Sequence, residues 1–413
     1  MKKIEIETKE EFIKYVENIQ NKDMFPKNVL GWALVREVYG QINSEKVLMT
    51  HIPVLNWNNS NLGSLAVFLD VLGITDPFNN LLIDVNQQNL EDALDKFKAF
   101  MGELYGTNHL NIMSTIEAHK NITELEDGMI NPFKLVVLTK DEICTNVSSV
   151  YMKLQALSEG KAPLRSLNLD GIFGLLTNCA WSNGYPFELE YIRAIQIQAK
   201  MAGQPISIDY VDKFPTLLSQ VVLDDNTRVL DAKKVRFGAQ LAAGTTVMPG
   251  ASYVNFNAGT AGACMVEGRI SSSVIVGAHT DIGGGASIAG VLSGGNTEPI
   301  SIGENCLLGA NSSTAISFGD GCIIDLGCAV AAGTKVKILG GDWALIKEVN
   351  PDANIEYYHK ECADENTDSQ CTYYVKASQL SGLNGIHFRL DSVTGGIIAF
   401  RSTFEVKLNK DLH

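Results

Sequence analysis

Between Gly238 and Asp281 the chain carries only two charges, Glu267 and Arg269, spaced two residues apart. A lone carboxylate can act as a general base toward an attacking group or attack an acyl carbon itself. A guanidinium next to it can grip an anionic substrate through two parallel hydrogen bonds. With no ligand to serve, the same two residues would be a solvated ion pair. One imidazole, His279, lies within 219–338. Its place in the pattern described next reads as a turn residue in the left-handed region, ahead of any catalytic role. Eight cysteines contain no CxxC pair, so a zinc knuckle or redox motif has no support, and we expect reduced thiols.

The elements that must carry these residues lie in 219–338, which hold 19 of the 37 glycines. An apolar residue recurs at six-residue steps or their multiples: Leu223, Val235, Leu241, Val247, Val276, Ile282, Ile302, Leu308, Phe318, Ile324 and Val330. Four residues after each comes a small one, from Thr227 through Ala251 and Cys306 to Thr334. Three residues after each comes Gly, Asn or His, the types that accept a positive φ most readily. Val229 and Ile288 fall in register but fail this test. A period-2 strand turned by a left-handed corner every six residues is the hexapeptide signature of a parallel β-helix. Three hexads make one triangular turn, about five turns in all, in a prism roughly 25 Å long at ~4.8 Å per strand.

The register breaks between Val247 and Val276, between Ile288 and Ile302, and between Leu308 and Phe318. Extra residues in a regular coil are expected to loop outward, where function usually sits. The first break, 253–273, contains Glu267 and Arg269. If the third break uses up one side, Ile302 and Ile324 share a side, with Cys306 and Cys328 as unbonded inward neighbours.

The remainder frames this prism. Residues 1–218 read as an α/β region, possibly two subdomains with a boundary near 110–160. Helical spacing covers Leu90–Tyr105 and Glu188–Ala202, and Lys134–Leu138 reads as a buried strand. Residues 339–413 read as a small β-rich C-terminal domain, with alternation around Ile386–Phe388 and Ile397–Phe400. The fold class expected is therefore mainly β: a parallel β-helix at 219–338 between an α/β region and a β-rich end.

The 413 residues suffice for two or three domains. A net charge of -14 argues against nucleic-acid or anionic-membrane binding but leaves room for an anionic cofactor held by local cations. Met1–Phe12 is charged and lacks a signal-peptide apolar run. The uncharged run Gly238–Val266 is too polar to span a bilayer. A cytoplasmic protein is expected.

Asn255–Ser271 (NFNAGTAGACMVEGRIS), with DIGGGASI at 281–288, LSGG at 292–295, ISIGENCLLGANS at 300–312 and AAGTKV at 331–336, closely resembles the long form of the tetrahydrodipicolinate N-succinyltransferase family. The likeness reaches LNLDGIFGLL (167–176), VKASQLSG (375–382) and FRLDS (388–392). The first ~160 residues match no recognisable motif, and 340–372 looks like an insertion. The resemblance implies a left-handed prism and a homotrimer with active sites between adjacent prisms. It also implies succinyl transfer from succinyl-CoA to the amine of ring-opened tetrahydrodipicolinate, in diaminopimelate and lysine synthesis.

By the same resemblance Glu267 is catalytic, as an acyl-anhydride nucleophile or, equally well on physical grounds, a general base. Arg269 binds substrate. Gly284, Ser287, Ala310, Asp325, Leu326 and Gly333 line the acyl-CoA channel, and Lys376, Arg389 and Ser392 contact the CoA. The family's axial metal depends on acidic residues; the corresponding positions lie near Lys233 and Ala251, so no metal and no permanently bound cofactor are expected. Three alternatives stay open: another hexapeptide acyl-CoA transferase, a prism carbonic anhydrase (which needs three histidines), and a non-catalytic β-helix.

Overall fold

The computed structural model describes residues 6–403 apart from Met24, 104–108, 126–128, 292–297 and 364–367. It divides into two compact units, Met1–Ala156 with Leu167–Pro215, and Leu157–Ser166 with Thr216–His413. Among the described residues no helix is long and apolar enough to cross a membrane.

In the first unit, Gly31–Tyr39 (GWALVREVY) is rich in apolar and aromatic side chains and forms a central strand. It pairs antiparallel with Val47–His51 on one edge and Phe133–Leu138 on the other, which in turn pairs with Leu81–Asp84. The buried strand expected at 134–138 is present. The helix expected over Leu90–Tyr105 is shorter. Asn86 caps Gln87–Lys96, and a 3-10 turn, Lys98–Phe100, follows. Its apolar stripe (Leu90, Ala93, Phe97) packs in a core with Trp32, Phe68 and Leu135. Positions 104 and 105 lie outside the described residues. Leu189–Met201 forms the second expected helix and ends at Gly203, which has φ +73.

The second unit contains a parallel coil with three sides. On the first side Val229, Val247, Val266, Ile282, Leu308, Ile324 and Phe388 stack in successive rungs. On the second, Val235, Val254, Ile270, Ile288, Thr314 and Val330 do so. On the third, Thr260, Val276, Ile302 and Phe318 do so. Corner residues take positive φ where the hexad pattern places Gly238, Gly244, Gly250, His279, Gly285, Asn305, Asn311, Gly321 and Gly327; His279 has φ 59. Asn226 and Gly333 do not have positive φ, whereas Asn257 and Ser273, outside the pattern, do.

Two of the three register breaks are not loops. From Val247 the chain reaches Val254, Thr260, Val266, Ile270 and Val276, one side at a time. The sides are seven, six, six, four and six residues long. One long side and one short side cancel the hexad register while the coil continues, so 253–273 is coil and not an outward loop. The long side also exposes Ala251 and buries Ser252 in its place. Leu308 to Phe318 is likewise two sides through Thr314, of six and four residues. Only the step from Ile288 to Ile302 exceeds a full side, and part of it lies outside the described residues. Val229 and Ile288, which failed the hexad test, take rung positions nonetheless.

The third break therefore uses two sides, not one. Ile302 stacks on Phe318 and Leu308 on Ile324, so Ile302 and Ile324 do not share a side. The inward neighbour of Cys306 is accordingly Cys322, not Cys328. A column of small donors fills that corner: Thr245, Cys264, Thr280, Cys306 and Cys322 each donate to a carbonyl of the next rung, on Gly262, Gly277, Gly303, Gly319 and Leu383. The expectation of eight reduced thiols fails at one place. Cys362 and Cys371 face each other across an antiparallel strand pair and are disulfide-bonded.

Residues beyond the coil are built onto it. Ile386–Leu390 forms the last rung of the first side and turns back as Ile397–Arg401, which pairs with Lys335–Leu339. Arg165, in the left-handed region at φ 67, fastens the segment 157–166 to the third side through Ser273, Ile300 and Ser301.

The column of buried thiols is testable. Burial pushes Cys264 and Cys328 up to about 11, and the hydrogen bond that Cys306 donates to Cys322, then burial, push Cys306 well up. Cys264, Cys306, Cys322 and Cys328 should resist a thiol reagent in the native protein and all react once it is denatured. Rapid native labelling of any of the four would show that the coil interior is open.

Candidate active site

The short side between Val266 and Ile270 leaves only three residues to turn a corner. They are Glu267, Gly268 and Arg269. Gly268 takes the tight position: a methyl group there would sit 2.8 Å from the Ile282 side chain and 2.9 Å from the Gly283 carbonyl oxygen. The two flanking side chains are thereby turned outward on the coil's edge. The Glu267 amide donates to the Ile282 carbonyl at 2.8 Å, and that of Arg269 to Ala286 at 2.7 Å, so both backbones are fixed.

Arg269 is exposed but not loose. Its Nε and Nη2 reach the Ser287 hydroxyl at 3.1 and 2.7 Å, one rung on, where the two residues are register partners. Glu267 is half-buried, and a methyl group on Gly284 would lie 3.5 Å from its Oε2. Gly284 thus keeps open the space beside the carboxylate.

The same edge carries more of the expected residues. The position after each inward residue of the first side is held in turn by Glu267, Gly283, Gly309, Asp325 and Arg389; Gly284, Ala310 and Leu326 come one later. Gly309 is needed there, because a methyl group would meet the Leu326 amide nitrogen at 2.5 Å. Leu326 is 73% exposed, a large apolar group on open ground. Four rungs separate Glu267 from Arg389, ~19 Å along the coil. At the far end Asp325 accepts hydrogen bonds from Arg389 Nε and His387 Nε2, both at 2.6 Å. Partial burial pushes its carboxyl upward, but these two bonds outweigh it and hold the group below its ordinary range.

Gly333, Lys376 and Ser392 are not on this edge. Lys376 is the register partner of Lys335, and Ser378 donates to the Ala332 carbonyl, which brings Gly333 close. Ser392 lies exposed in the turn after Leu390. Leu390, Ile397, Val336 and Val375 form one row across that sheet, so Ser392, Lys335 and Lys376 share its end. Lys335 was missed from sequence although the repeat motif contains it. His387 was missed too, and its alternation with Arg389 around the inward Phe388 was the available signal.

Among the described residues no three His, Cys, Asp or Glu gather as a cation site. A cavity of about 790 Å³ in the first unit, lined by Glu37, Tyr39, Lys46 and Lys134 among others, contains none of the expected residues. Along the edge itself Leu326 and Arg389 are exposed, and Glu267, Gly284, Ala310 and Asp325 are partly exposed.

A parallel three-sided coil with a carboxylate, a held arginine and cations along one edge defines the class of hexapeptide-repeat acyl transferases. Sequence comparison narrows this. Profiles described as tetrahydrodipicolinate N-succinyltransferase N-terminal and middle match residues 10–174 and 176–216, and one described as hexapeptide repeat of succinyl-transferase matches 299–332. A 2,3,4,5-tetrahydropyridine-2,6-dicarboxylate N-succinyltransferase of Nitratiruptor sp. is 48% identical over 412 residues, covering 99% of this chain and 100% of its own. The enzyme of that name from Helicobacter pylori is 46% identical, covering 97% and 99%. A crystal structure from Campylobacter jejuni, named as a 2,3,4,5-tetrahydropyridine-2-carboxylate N-succinyltransferase, superposes with a TM-score of 0.85 at 43% identity, covering 98% and 100%. The chain belongs to the tetrahydrodipicolinate N-succinyltransferase family. The N-terminal match falls where no motif was legible, and relatives of near-equal length align across 340–372, the stretch read as an insertion.

The Asp325 clamp predicts an acid dependence. Because the folded carboxyl is depressed, its contribution to stability is fully present above the unfolded value, ~3.9. It is lost as pH falls through the folded one. Denaturant midpoints of wild type and Asp325→Asn should differ by a constant amount above about pH 4 and converge below it. A gap that widens on acidification would mean that the carboxylate is not held by His387 and Arg389.

Proposed function

We propose that the chain transfers the succinyl group of succinyl-CoA to the amine of ring-opened tetrahydrodipicolinate, releasing CoA and N-succinyl-2-amino-6-oxopimelate. The observation that carries this is the Glu267–Gly284 space beside Arg269, in a chain that aligns end to end with named succinyltransferases. The amine must lose a proton as it attacks the thioester carbon, and Glu267 is the carboxylate within reach of that space. Arg269, steadied by Ser287, is suited to a substrate carboxylate.

The acyl-CoA is assigned to the edge running from Gly284 past Ala310 and Leu326 to Asp325 and Arg389. Small and apolar groups there suit a pantetheine arm, and Gly333, Lys335, Lys376 and Ser392 extend the contact at the phosphate end. The coil is left-handed in this reading, as in known hexapeptide prisms. The protein is a cytoplasmic homotrimer with no resident metal or cofactor. An open edge gives the reaction no enclosure from water, which favours a second subunit covering it. The alternatives from other classes lack support: His279 and His387 are two histidines, at separate corners of the coil, for a zinc site that needs three, and a purely structural helix has no use for an outward Glu–Arg pair.

Thiol release with tetrahydrodipicolinate as acceptor and a panel of acyl-CoA donors tests the substrate assignment. Succinyl-CoA should be preferred; preference for acetyl-CoA would sink it while leaving the fold intact. Sedimentation should show a trimer, and a stable monomer at micromolar concentration would rule out a shared site. Glu267→Ala should lower kcat by ~10²–10⁴-fold, the usual worth of general-base assistance, with little change in the Kd for succinyl-CoA. A nucleophilic Glu267 would also release thiol slowly without amine and trap label on itself, which a general base would not. Near-wild-type turnover in the variant would move the chemistry to another residue.

A further inference from the structure

At the far end of the edge, Asp325 holds two partners at once, His387 on Oδ1 and Arg389 on Oδ2, each at 2.6 Å. His387 and Arg389 are two residues apart on one strand and project to the same side, while Phe388 turns inward against Phe318. From the antiparallel neighbour, the Phe400 ring lies 4.4 Å from the imidazole and 5.1 Å from the guanidinium carbon. Arg389 is thus held at Nε and across one face, and its side chain is half exposed. Among the described residues neither Nη donates to a protein group. The other charged groups packed around this strand are otherwise engaged. Arg401 gives Nη1 to the carbonyls of Gly385 and Ser402, and its amide donates to Asp342. Lys337 lies beyond the Ile397–Arg401 strand, opposite Ile398.

A free carboxylate grips arginine best with both oxygens, which consumes an Nη as well as Nε. His387 prevents this here by occupying Oδ1, so the carboxylate meets Arg389 through one oxygen only. The guanidinium edge that remains is a two-pronged donor of the kind that takes a phosphate. We propose that His387 is a positioning residue for acyl-CoA, fixing Arg389 as a phosphate fork. This rests on the acyl-CoA reading of the edge given above.

The test uses CoA itself as the probe, titrated calorimetrically into the full-length protein. His387→Phe removes the donor to Asp325 and should weaken CoA binding about tenfold, the worth of one charge-assisted hydrogen bond. His387→Gln keeps a donor for Asp325 and should restore affinity close to that of wild type. In turnover, the loss in His387→Phe should fall on KM for succinyl-CoA more than on kcat. Wild-type affinity in His387→Phe, or a loss in His387→Gln as large as that in His387→Phe, overturns the proposal. Arg389→Ala separates the two readings. If it too leaves CoA binding unchanged, the acyl-CoA assignment of this edge fails; if it alone weakens binding, only the role of His387 does.

Discussion

The spacing between rungs governs everything else in the second unit. Successive turns of a parallel coil lie ~4.8 Å apart, so at each corner the backbone of one rung presses on the next. On the third side the residues after Val276, Ile302 and Phe318 are all glycine. A methyl group on Gly277 would meet the Gly303 carbonyl carbon at 2.5 Å, and one on Gly319 would meet that of Leu383 at 2.7 Å. Three residues on, the inward space admits only a small group, and the carbonyls facing it need donors. Threonine and cysteine meet both demands, which is why thiols and hydroxyls fill the column from Thr245 to Cys322. A larger apolar residue would not fit, and alanine would leave a carbonyl without its donor.

The same constraint makes the reactive corner. Every third-to-first corner keeps six residues, from Thr260 to Val266 through Phe318 to Ile324. Length varies at the other two: the second-to-third corner shortens to four residues between Thr314 and Phe318, and the first-to-second takes seven, four and six. Shortening it to four places the close approach on Gly268 and leaves no inward position for its neighbours. Glu267 and Arg269 are turned out because the coil has no room for them, and Ser287 on the following six-residue side receives the arginine. The outward Glu–Arg pair is here a by-product of a coil that omits two residues.

Much of this was legible in the residues. The hexad spacing, the positive-φ corners and the identity of the charged pair all follow from small groups recurring where a narrow coil demands them. The short and long sides were not legible, because a seven-residue and a four-residue side together imitate an insertion when only the spacing of apolar residues is counted. That error placed Glu267 on a loop and mispaired Cys306. The Cys362–Cys371 bond was hidden for another reason: the cysteines oppose each other only once Tyr357–Cys362 and Cys371–Lys376 are seen to pair. Among site residues, Gly284, Ser287, Ala310 and Asp325 fall in line with Glu267 because the rungs align them. Lys376 and Ser392 depend on a sheet whose order no local pattern reveals.

The electrostatics of the edge then have a consistent logic. On the proposed acyl-CoA reading of the edge, a chain of net charge -14 must hold a polyanionic co-substrate without gathering it by long-range attraction. It does so with few cations, each fixed by a neighbour: Arg269 by Ser287, Arg389 by Asp325 and Phe400, and Lys335 over the Tyr358 ring at 5.6 Å. An aspartate beside a phosphate site would ordinarily repel the ligand. Asp325 avoids this because both of its oxygens are engaged, and its charge serves to aim the guanidinium. Preorganised donors lose little freedom when a ligand arrives, so a small number of held cations can substitute for a broadly basic surface. The reacting end needs the opposite arrangement. There Glu267 stands beside Gly284, and in the proposed reaction the glycine leaves its carboxylate accessible to the amine.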